Sequence, residues 1–292
     1  MRASTDKKDT LPRGYLLVSY FVLCFIIAWS AWIPAGMLKT SNTALVLPGA
    51  WAPTIAALLL TWFSEGRDGV RELLRGLLKW RVRARYYVFA VFSVLGIAVF
   101  AVGLHVLLGG LPPEVEAITA QFGIPEEQAY LFVAISPIIF IITIFVGGPI
   151  AEELGWRGYA QPRLQARLGA GLAGLSIGFI WSLWHLPLFY YFTSAVGELP
   201  VGHYIPLVSA LGVLFAWLYN RTGGSVLLCI LLHAGVNFAL GAIGKDILTT
   251  NSRLLTIFVV LMGFLALILY LRIRSVRDVR SSANIEAAGD TA

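Results

Sequence analysis

Two adjacent carboxylates, Glu152 and Glu153, stand in an apolar stretch that also holds Arg157. Neighbouring residues on a helix are about 100° apart, so the two carboxylates point to different sides. Glu153 and Arg157 have the i, i+4 spacing that favours an ion pair, which leaves Glu152 without a local partner. A carboxylate in a poorly solvated site suits a general base. An ion-pair cluster that only stabilises the helix end is the alternative.

The next apolar stretch carries Trp181 four residues before His185, with Pro187 close behind. Because proline has no backbone N–H, the carbonyl of Leu183 loses its usual helical partner. We therefore expect a kink that widens a polar cavity beside His185. A histidine that only hydrogen-bonds to a neighbouring helix would give the same pattern.

A third polar group, His233 and Asn237, lies in a later apolar stretch, and its members share one helix face a turn apart. The small residues between them, Ala234 and Gly235, allow either close helix packing or space for a substrate. An interhelical hydrogen-bonded pair without chemistry is the alternative.

These three groups are expected to meet in one cavity in the inner half of a membrane. At the helical rise, His233 lies roughly 14 Å from the inner end of its helix, with Glu152 nearer that surface and His185 deeper. Such a set offers a base, a group to orient water and donors for an oxyanion, which amide hydrolysis requires. Glu152, His185 and His233 also match a two-histidine, one-carboxylate zinc set. The sequence has no His-Glu-x-x-His motif, so zinc is a tentative cofactor.

The composition is that of a membrane protein, because 58% of the 292 residues are hydrophobic and 13% are charged, against about a quarter charged in soluble domains. Apolar runs of about 20 residues, enough to cross a bilayer, recur along the chain. Backbone groups in lipid must pair within their own segment, so these runs are predicted as helices. The fold class is therefore all-α, a polytopic membrane protein of about eight helices. The predicted spans are 15–37, 43–63, 86–109, 130–153, 170–192, 203–220, 224–244 and 254–272.

Lysine and arginine are distributed unevenly between the loops. With the N-terminus inside, 19 of the 22 basic residues fall on inner segments, and only Lys39, Lys245 and Arg253 fall on outer ones. This asymmetry predicts that both termini are cytoplasmic. It also explains the net charge of +6 by contact with anionic headgroups, so membrane lipids are expected partners and nucleic acid is not. The basic segment 65–85 is predicted as an amphipathic helix on the inner surface.

The resulting organisation has one membrane domain and no internal repeat. A cytoplasmic segment precedes the N-terminal helices and their basic inner loop, a core carries the polar motifs, and one more helix precedes a small, polar tail predicted as disordered. The bounds are 1–14, 15–110, 130–240, 254–272 and 280–292.

Other polar residues favour structural roles. His105 and His203 lie near outer helix ends, and Cys24 and Cys229 read as small core residues. The segment 222–225 is predicted as a tight inner turn with a helix N-cap at Ser225. A serine nucleophile is not supported there, because His233 is two turns further along the same helix, about 12 Å away.

The order Glu-Glu-x-x-x-Arg, aromatic-x-x-x-His and His-x-x-x-Asn on successive apolar helices resembles the CPBP family. This family comprises the type II CAAX prenyl endopeptidases and the bacteriocin-processing, Abi-like proteins. The local text is close as well, with EELGWRG at 152–158 and WSLWHLPLF at 181–189. The resemblance covers about 130–240. One departure is Trp181, where the family usually has phenylalanine.

The resemblance implies an intramembrane peptidase, drawn either as a metalloprotease or as a metal-free glutamate protease. It implies that Glu152 is catalytic, that His185 helps to hold a water molecule, and that His233 and Asn237 stabilise the oxyanion or complete the site. Glu153 and Arg157 match motif positions of a more structural kind, and Trp181 walls the pocket.

The expected substrate is a peptide bond in a membrane-associated or lipid-modified protein or peptide, processed in the CAAX manner or similarly. We expect a plasma-membrane protein of a prokaryote whose site opens to the cytoplasm. A non-catalytic immunity or partner-binding protein of the same fold is the alternative, and a proton-coupled transporter is a third interpretation. The absence of obvious inverted repeats in the sequence argues against the transporter.

Overall fold

The structure, a computed structural model, describes residues 13–38, 43–119, 123–146, 148–191, 199–243 and 251–289. Every regular element among them is helical. The α-helices are α1 Arg13–Met37, α2 Thr43–Ala50, α3 Ala52–Arg75, α4 Ala84–Leu107, α5 Val115–Thr119, α6 Ala129–Phe145, α7 Pro149–Glu153, α8 Gln161–Leu168, α9 Ala170–Trp184, α10 Leu186–Tyr191, α11 Val201–Arg221, α12 Val226–Ile243 and α13 Ser252–Gly289. Short 3-10 turns cover Gly76–Leu78 and Glu126–Gln128, and a π-helical segment covers Leu154–Ala160.

Six helical stretches among the described residues are long and apolar enough to cross a membrane. They are Gly14–Met37, Ala84–Leu107, Ala170–Tyr190, Val201–Arg221, Ser252–Ile273 and Glu126–Leu168, the last of which is interrupted between Phe145 and Pro149. The two other predicted spans correspond to the charged helix α3 and to α12, whose apolar part is the shorter stretch Val226–Gly241. The prediction of an all-α polytopic membrane protein is confirmed.

The predicted second helix, 43–63, was wrong as a single element, because the chain turns at Trp51 between α2 and α3. Pro48 and Pro53 flank this turn, and neither can donate a backbone hydrogen bond. The predicted surface helix 65–85 was also wrong in its bounds. Helix α3 continues to Arg75 across a kink at Gly66, whose φ of +68° is readily adopted by glycine. Regular structure then ends with the 3-10 turn at Leu78.

The last helix extends beyond its predicted end at 272 and runs to Gly289. The segment 280–289, predicted as part of a disordered tail, is therefore helical in the structure. Its alanines, arginine and glutamate are good helix formers. Residues 1–12, Lys39, Lys245 and 290–292, on which other predictions fall, lie outside the described residues.

Glycine allows two pairs of helices to approach closely around the core. On α9, Gly174 and Gly178 lie one turn apart and face Gly212 of α11, and a Cβ on Gly178 would lie 2.5 Å from the carbonyl oxygen of Val208. On α12, a Cβ on Gly235 would lie 2.6 Å from the carbonyl oxygen of Ala90 on α4. Small residues at such positions let membrane helices pack backbone to backbone.

Side-chain contacts tie the predicted inner segments together at one end of the helix bundle. Lys79 donates to the carbonyl of Gly223 over 2.8 Å, and Arg163 pairs with Glu65 over 2.5 Å. At the other end, Asn251 lies 3.1 Å from His105, and Arg253 donates to the carbonyl of Leu108. The segment before the last helix thus meets the end of the predicted third span, 86–109.

The inner-end contacts bring together loops that the charge count placed on one side. Arg157 is an exception to that count, because it is fully buried and does not face headgroups.

Candidate active site

Glu152 and Glu153 follow a break in the predicted fourth helix. Helix α6 ends at Phe145 and α7 starts at Pro149, so the predicted continuous span 130–153 was wrong. Gly148 is the N-cap residue of α7. Its backbone φ of +106° is a value that residues other than glycine rarely adopt. Proline after it favours the first turn of a new helix. The break lets Glu152 and Glu153 begin a separate element that turns into the protein.

Glu152 is buried, and one of its carboxylate oxygens accepts two indole hydrogen bonds. Trp181 donates to Oε2 over 2.7 Å, and Trp156 donates to the same oxygen over 3.3 Å. The other oxygen, Oε1, lies against Gly148, where a Cβ would collide with it and would also lie 3.5 Å from Cε1 of His233. Glu152 and His233 therefore flank the same small volume beside Gly148. The prediction that Glu152 lacks a local partner was wrong in this respect, since Trp156 is four residues away.

Glu153 is completely buried, and its two carboxylate oxygens contact Arg157 and His233. Its Oε2 accepts from Nε of Arg157 over 2.9 Å, which confirms the predicted i, i+4 pair. Its Oε1 lies 2.9 Å from Nδ1 of His233, on a helix 80 residues away. A carboxylate only accepts, so Nδ1 of His233 carries a proton. Glu153 thus fixes the orientation of the His233 ring, which was predicted to lie near Glu152.

The guanidinium of Arg157 is held by aromatic rings as well as by Glu153. Its Cζ lies 4.1 Å from the ring centroid of Phe215 and 5.5 Å from that of Trp181. Stacking of this kind offsets part of the cost of burying a charge. A π-helical segment, Leu154–Ala160, contains both Trp156 and Arg157, and such segments are frequent at functional sites.

His185 lies at the end of α9 and not deep inside a helix as predicted. Helix α9 stops at Trp184, and α10 begins at Leu186 after a turn at His185. The helix expected to kink near Pro187 is therefore interrupted two residues earlier, at His185. Nδ1 of His185 lies 2.9 Å from the carbonyl oxygen of Trp181. Since a carbonyl only accepts, Nδ1–H is the donor, and a neutral His185 has its free lone pair on Nε2.

Trp181 contacts both histidines, so it joins the three predicted groups. Its ring centroid lies 5.1 Å from that of His233 and 5.7 Å from that of His185. Tyr204 of α11 adds another wall, with its centroid 6.0 Å from His185. The structure thereby brings Glu152, His185 and His233 around one indole.

Asn237 lies one turn beyond His233 on α12 and is half-buried. Between them, Ala234 is buried and Gly235 packs against the backbone of α4. The sequence left open whether these small residues allow close helix packing or make space for a substrate. Gly235 serves close helix packing.

The tentative zinc ligands are Glu152, His185 and His233. Within the described parts of the chain, no three His, Cys, Asp or Glu side chains group closely enough to hold a metal ion in common. Nδ1 of each histidine is engaged in a hydrogen bond, which leaves Nε2 as the nitrogen that could reach an ion, as in metal-bound histidines. Oε2 of Glu152 accepts from two indoles. Zinc therefore stays a prediction, and the proposed mechanism uses side chains alone.

The remaining candidates occupy positions that fit structural roles. His105 is buried and lies beside Asn251, while His203 lies in the first turn of α11, 3.0 Å from Thr256. Ser225 caps α12 by accepting from the N–H of Leu228 over 3.2 Å and donates to the carbonyl of Lys79. Cys24 and Cys229 are both buried and free.

Sequence reasoning missed Gly148 and the donor role of Trp156 and Trp181. The text Gly147-Gly148-Pro149 was a visible signal, because a glycine before proline favours a break. The indole of Trp181 meets Glu152 across 29 residues, and no local spacing predicts that contact.

The fold and the site define a polytopic helical membrane protein that encloses a cluster of carboxylates, imidazoles and indoles. Residues 134–239 match the family model described as type II CAAX prenyl endopeptidase Rce1-like. The chain is also similar to "CAAX prenyl protease 2" of Methanococcus maripaludis, 24% identical over 267 residues, covering 86% of this chain and 92% of that protein. Both matches agree with the resemblance to the type II CAAX prenyl endopeptidases that the motifs within 130–240 carry.

Proposed function

We propose that the protein is an intramembrane endopeptidase that hydrolyses a peptide bond in a lipid-modified or otherwise membrane-associated protein, in the manner of CAAX processing. The relative from Methanococcus maripaludis carries the name of such a protease. The observation that carries the proposal is the buried Glu152, with one oxygen held by two indoles and the other beside His233. A carboxylate in this setting can act as a base on water in a membrane-enclosed site.

In the proposed reaction, Glu152 takes a proton from a water molecule while the water oxygen attacks the carbonyl carbon of the substrate. The C–N bond then breaks, and the proton passes to the departing amine nitrogen. Bases and acids placed in this way contribute typically about 10²- to 10⁴-fold to the rate. His185 orients the water in this scheme, since its Nδ1–H is bound to the carbonyl of Trp181 and its Nε2 is left as an acceptor.

The oxyanion is proposed to receive hydrogen bonds from Asn237 and His233. Glu153 anchors His233 through Nδ1, which leaves Nε2 as the atom that can face substrate. A proton on Nε2 would make this atom a hydrogen-bond donor to the developing negative charge.

We propose that the site opens toward the cytoplasm of a prokaryotic cell, because the basic segments meet at the end of the bundle that follows Glu152. Arg163 and Lys79 mark that end through their contacts with Glu65 and Gly223. Alkaline phosphatase and green fluorescent protein fused after Gly289 test this orientation. Fluorescence without phosphatase activity supports it, and the reverse result contradicts it.

The direct test of the activity compares wild type with Glu152→Gln on fluorogenic peptides, farnesylated and bare, in detergent. Glutamine keeps the size of the side chain but cannot take the proton, so we expect cleavage to fall by about 10²- to 10⁴-fold. The matched control is Glu127→Gln, an exposed carboxylate before α6, which should cleave as wild type does. Full activity of a folded Glu152→Gln protein contradicts the proposal and favours a site elsewhere. No cleavage by a folded wild type shifts weight to a binding or immunity function.

A further inference from the structure

We infer that Trp181 is a positioning residue for the hydrolysis proposed above, because its indole N–H orients the carboxylate of Glu152 while its carbonyl oxygen orients the ring of His185. This inference rests on the proposed function. It assigns to one residue the alignment of the base and of the group that orients water.

Trp181 makes these two contacts with different groups, its side-chain N–H and its backbone carbonyl. The indole Nε1 donates to Oε2 of Glu152 over 2.7 Å, and the carbonyl oxygen accepts from Nδ1 of His185 over 2.9 Å. All three side chains are buried, with Trp181 4% exposed. Hydrogen bonds to an ionised group in such surroundings are among the stronger ones in proteins. A movement of Trp181 therefore displaces both predicted reacting groups together.

The ring itself is fixed by its neighbours. Its face or edge meets His185, His233 and Phe215 with centroid separations between 5.1 and 5.9 Å. The guanidinium of Arg157 lies 5.5 Å from its centroid. An indole confined on these sides has few rotamers available, so the N–H direction is set before substrate arrives.

The indole also makes the two oxygens of Glu152 unequal. Oε2 accepts from Trp181 and Trp156, whereas Oε1 lies beside Gly148 and His233. We assign Oε1 as the atom that receives the proton from water. In this step the O–H bond of water breaks, an O–H bond to Oε1 forms, and the water oxygen bonds to the carbonyl carbon of the substrate. The proton later leaves Oε1 for the amine nitrogen as the C–N bond breaks.

Phenylalanine at 181 would keep the backbone carbonyl and an aromatic ring but has no side-chain N–H. The contact with Glu152 is therefore a property of tryptophan at 181. It can be removed alone by replacing the indole N–H with sulfur, since Trp181→3-benzothienylalanine keeps nearly the same shape. The variant is made by nonsense suppression in the full-length chain and assayed on the farnesylated fluorogenic peptide.

We expect kcat to fall about ten- to hundredfold in the benzothienyl variant, the loss that one hydrogen bond to a charged group represents. KM should stay within twofold, and the thermal unfolding temperature should stay that of wild type. The same replacement of Trp156, whose contact is longer at 3.3 Å, should reduce kcat less. Trp62 is exposed, and its replacement is the incorporation control, expected to leave kcat unchanged.

An unchanged kcat at position 181 overturns the inference. A fall in kcat that is matched by a fall in unfolding temperature also overturns it, because the tryptophan would then act through stability. If Glu152→Gln keeps full activity, the proposed function fails regardless of position 181. If Glu152→Gln is inactive and the benzothienyl variant is fully active, only the inference fails.

Discussion

Nδ1 of His233 lies 2.9 Å from Oε1 of Glu153, so the histidine of the third motif is bound to the second glutamate of the first. The other oxygen of Glu153 accepts from Arg157 over 2.9 Å, and the exposure of both side chains is zero. This three-membered arrangement connects α7, the π-helical segment and α12. The ion pair predicted from i, i+4 spacing is thus part of the support of the proposed site.

Glu153→Gln should destabilise the protein strongly, because it leaves Arg157 buried without a counter-charge. Removing one partner of a buried ion pair costs about 3–5 kcal/mol. Thermal unfolding in detergent, followed by tryptophan fluorescence, measures the change. The matched control is Glu72→Gln, which breaks an exposed i, i+3 pair with Arg75 and should cost about 0–1 kcal/mol. Equal effects of the two variants would contradict a supporting role for the buried pair.

Gly148→Ala should reduce cleavage by about a hundredfold or more, because the added methyl group would displace Oε1 of Glu152. Misplacement of a reacting group by about 1 Å can cost that much. Backbone strain alone is controlled by Gly109→Ala, since Gly109 also has positive φ, +83°, but open space around its Cβ position. Steady-state kinetics on the farnesylated peptide, measured for both variants, separate the effect of backbone strain from that of displacing Glu152. If both variants lose activity equally, displacement of Glu152 is not the cause.

Local spacing predicted two individual contacts better than hydrophobicity predicted the helix boundaries. The pairing of Glu153 with Arg157 follows from local spacing, and the cap at Ser225 follows from residue type next to two glycines of positive φ. Both are short-range effects of helix geometry.

What the sequence did not predict depends on tertiary contacts or on breaks inside apolar runs. The continuous hydrophobicity of 130–153 concealed the turn at Gly148, because lipid-compatible composition says nothing about where a helix restarts. The same applies to the turn at His185 between α9 and α10. The bond from Trp181 to Glu152 and that from Glu153 to His233 join separate elements. Spacing along the chain cannot specify such partners.

Asn237→Ala should lower kcat while leaving KM nearly unchanged, if Asn237 stabilises the oxyanion as proposed. Loss of one such donor typically costs about 10²–10³ in kcat. Asn220→Ala is the matched control, because Asn220 lies at the C-terminal end of α11 and bonds to Gln165, away from the proposed site. A rise in KM with kcat unchanged would assign Asn237 to substrate binding and contradict the oxyanion role.

Cleavage should persist after treatment with a chelator, because the proposed chemistry uses side chains that do not group around a shared ion. Across the described residues, no three potential ligand side chains come together. The measurement is peptide cleavage by purified protein after dialysis against a chelator, with metal content determined on the same sample. A second aliquot receives zinc. Loss of activity that zinc restores would show that Glu152, His185 and His233 rearrange to bind the ion, and it would replace the metal-free scheme proposed here.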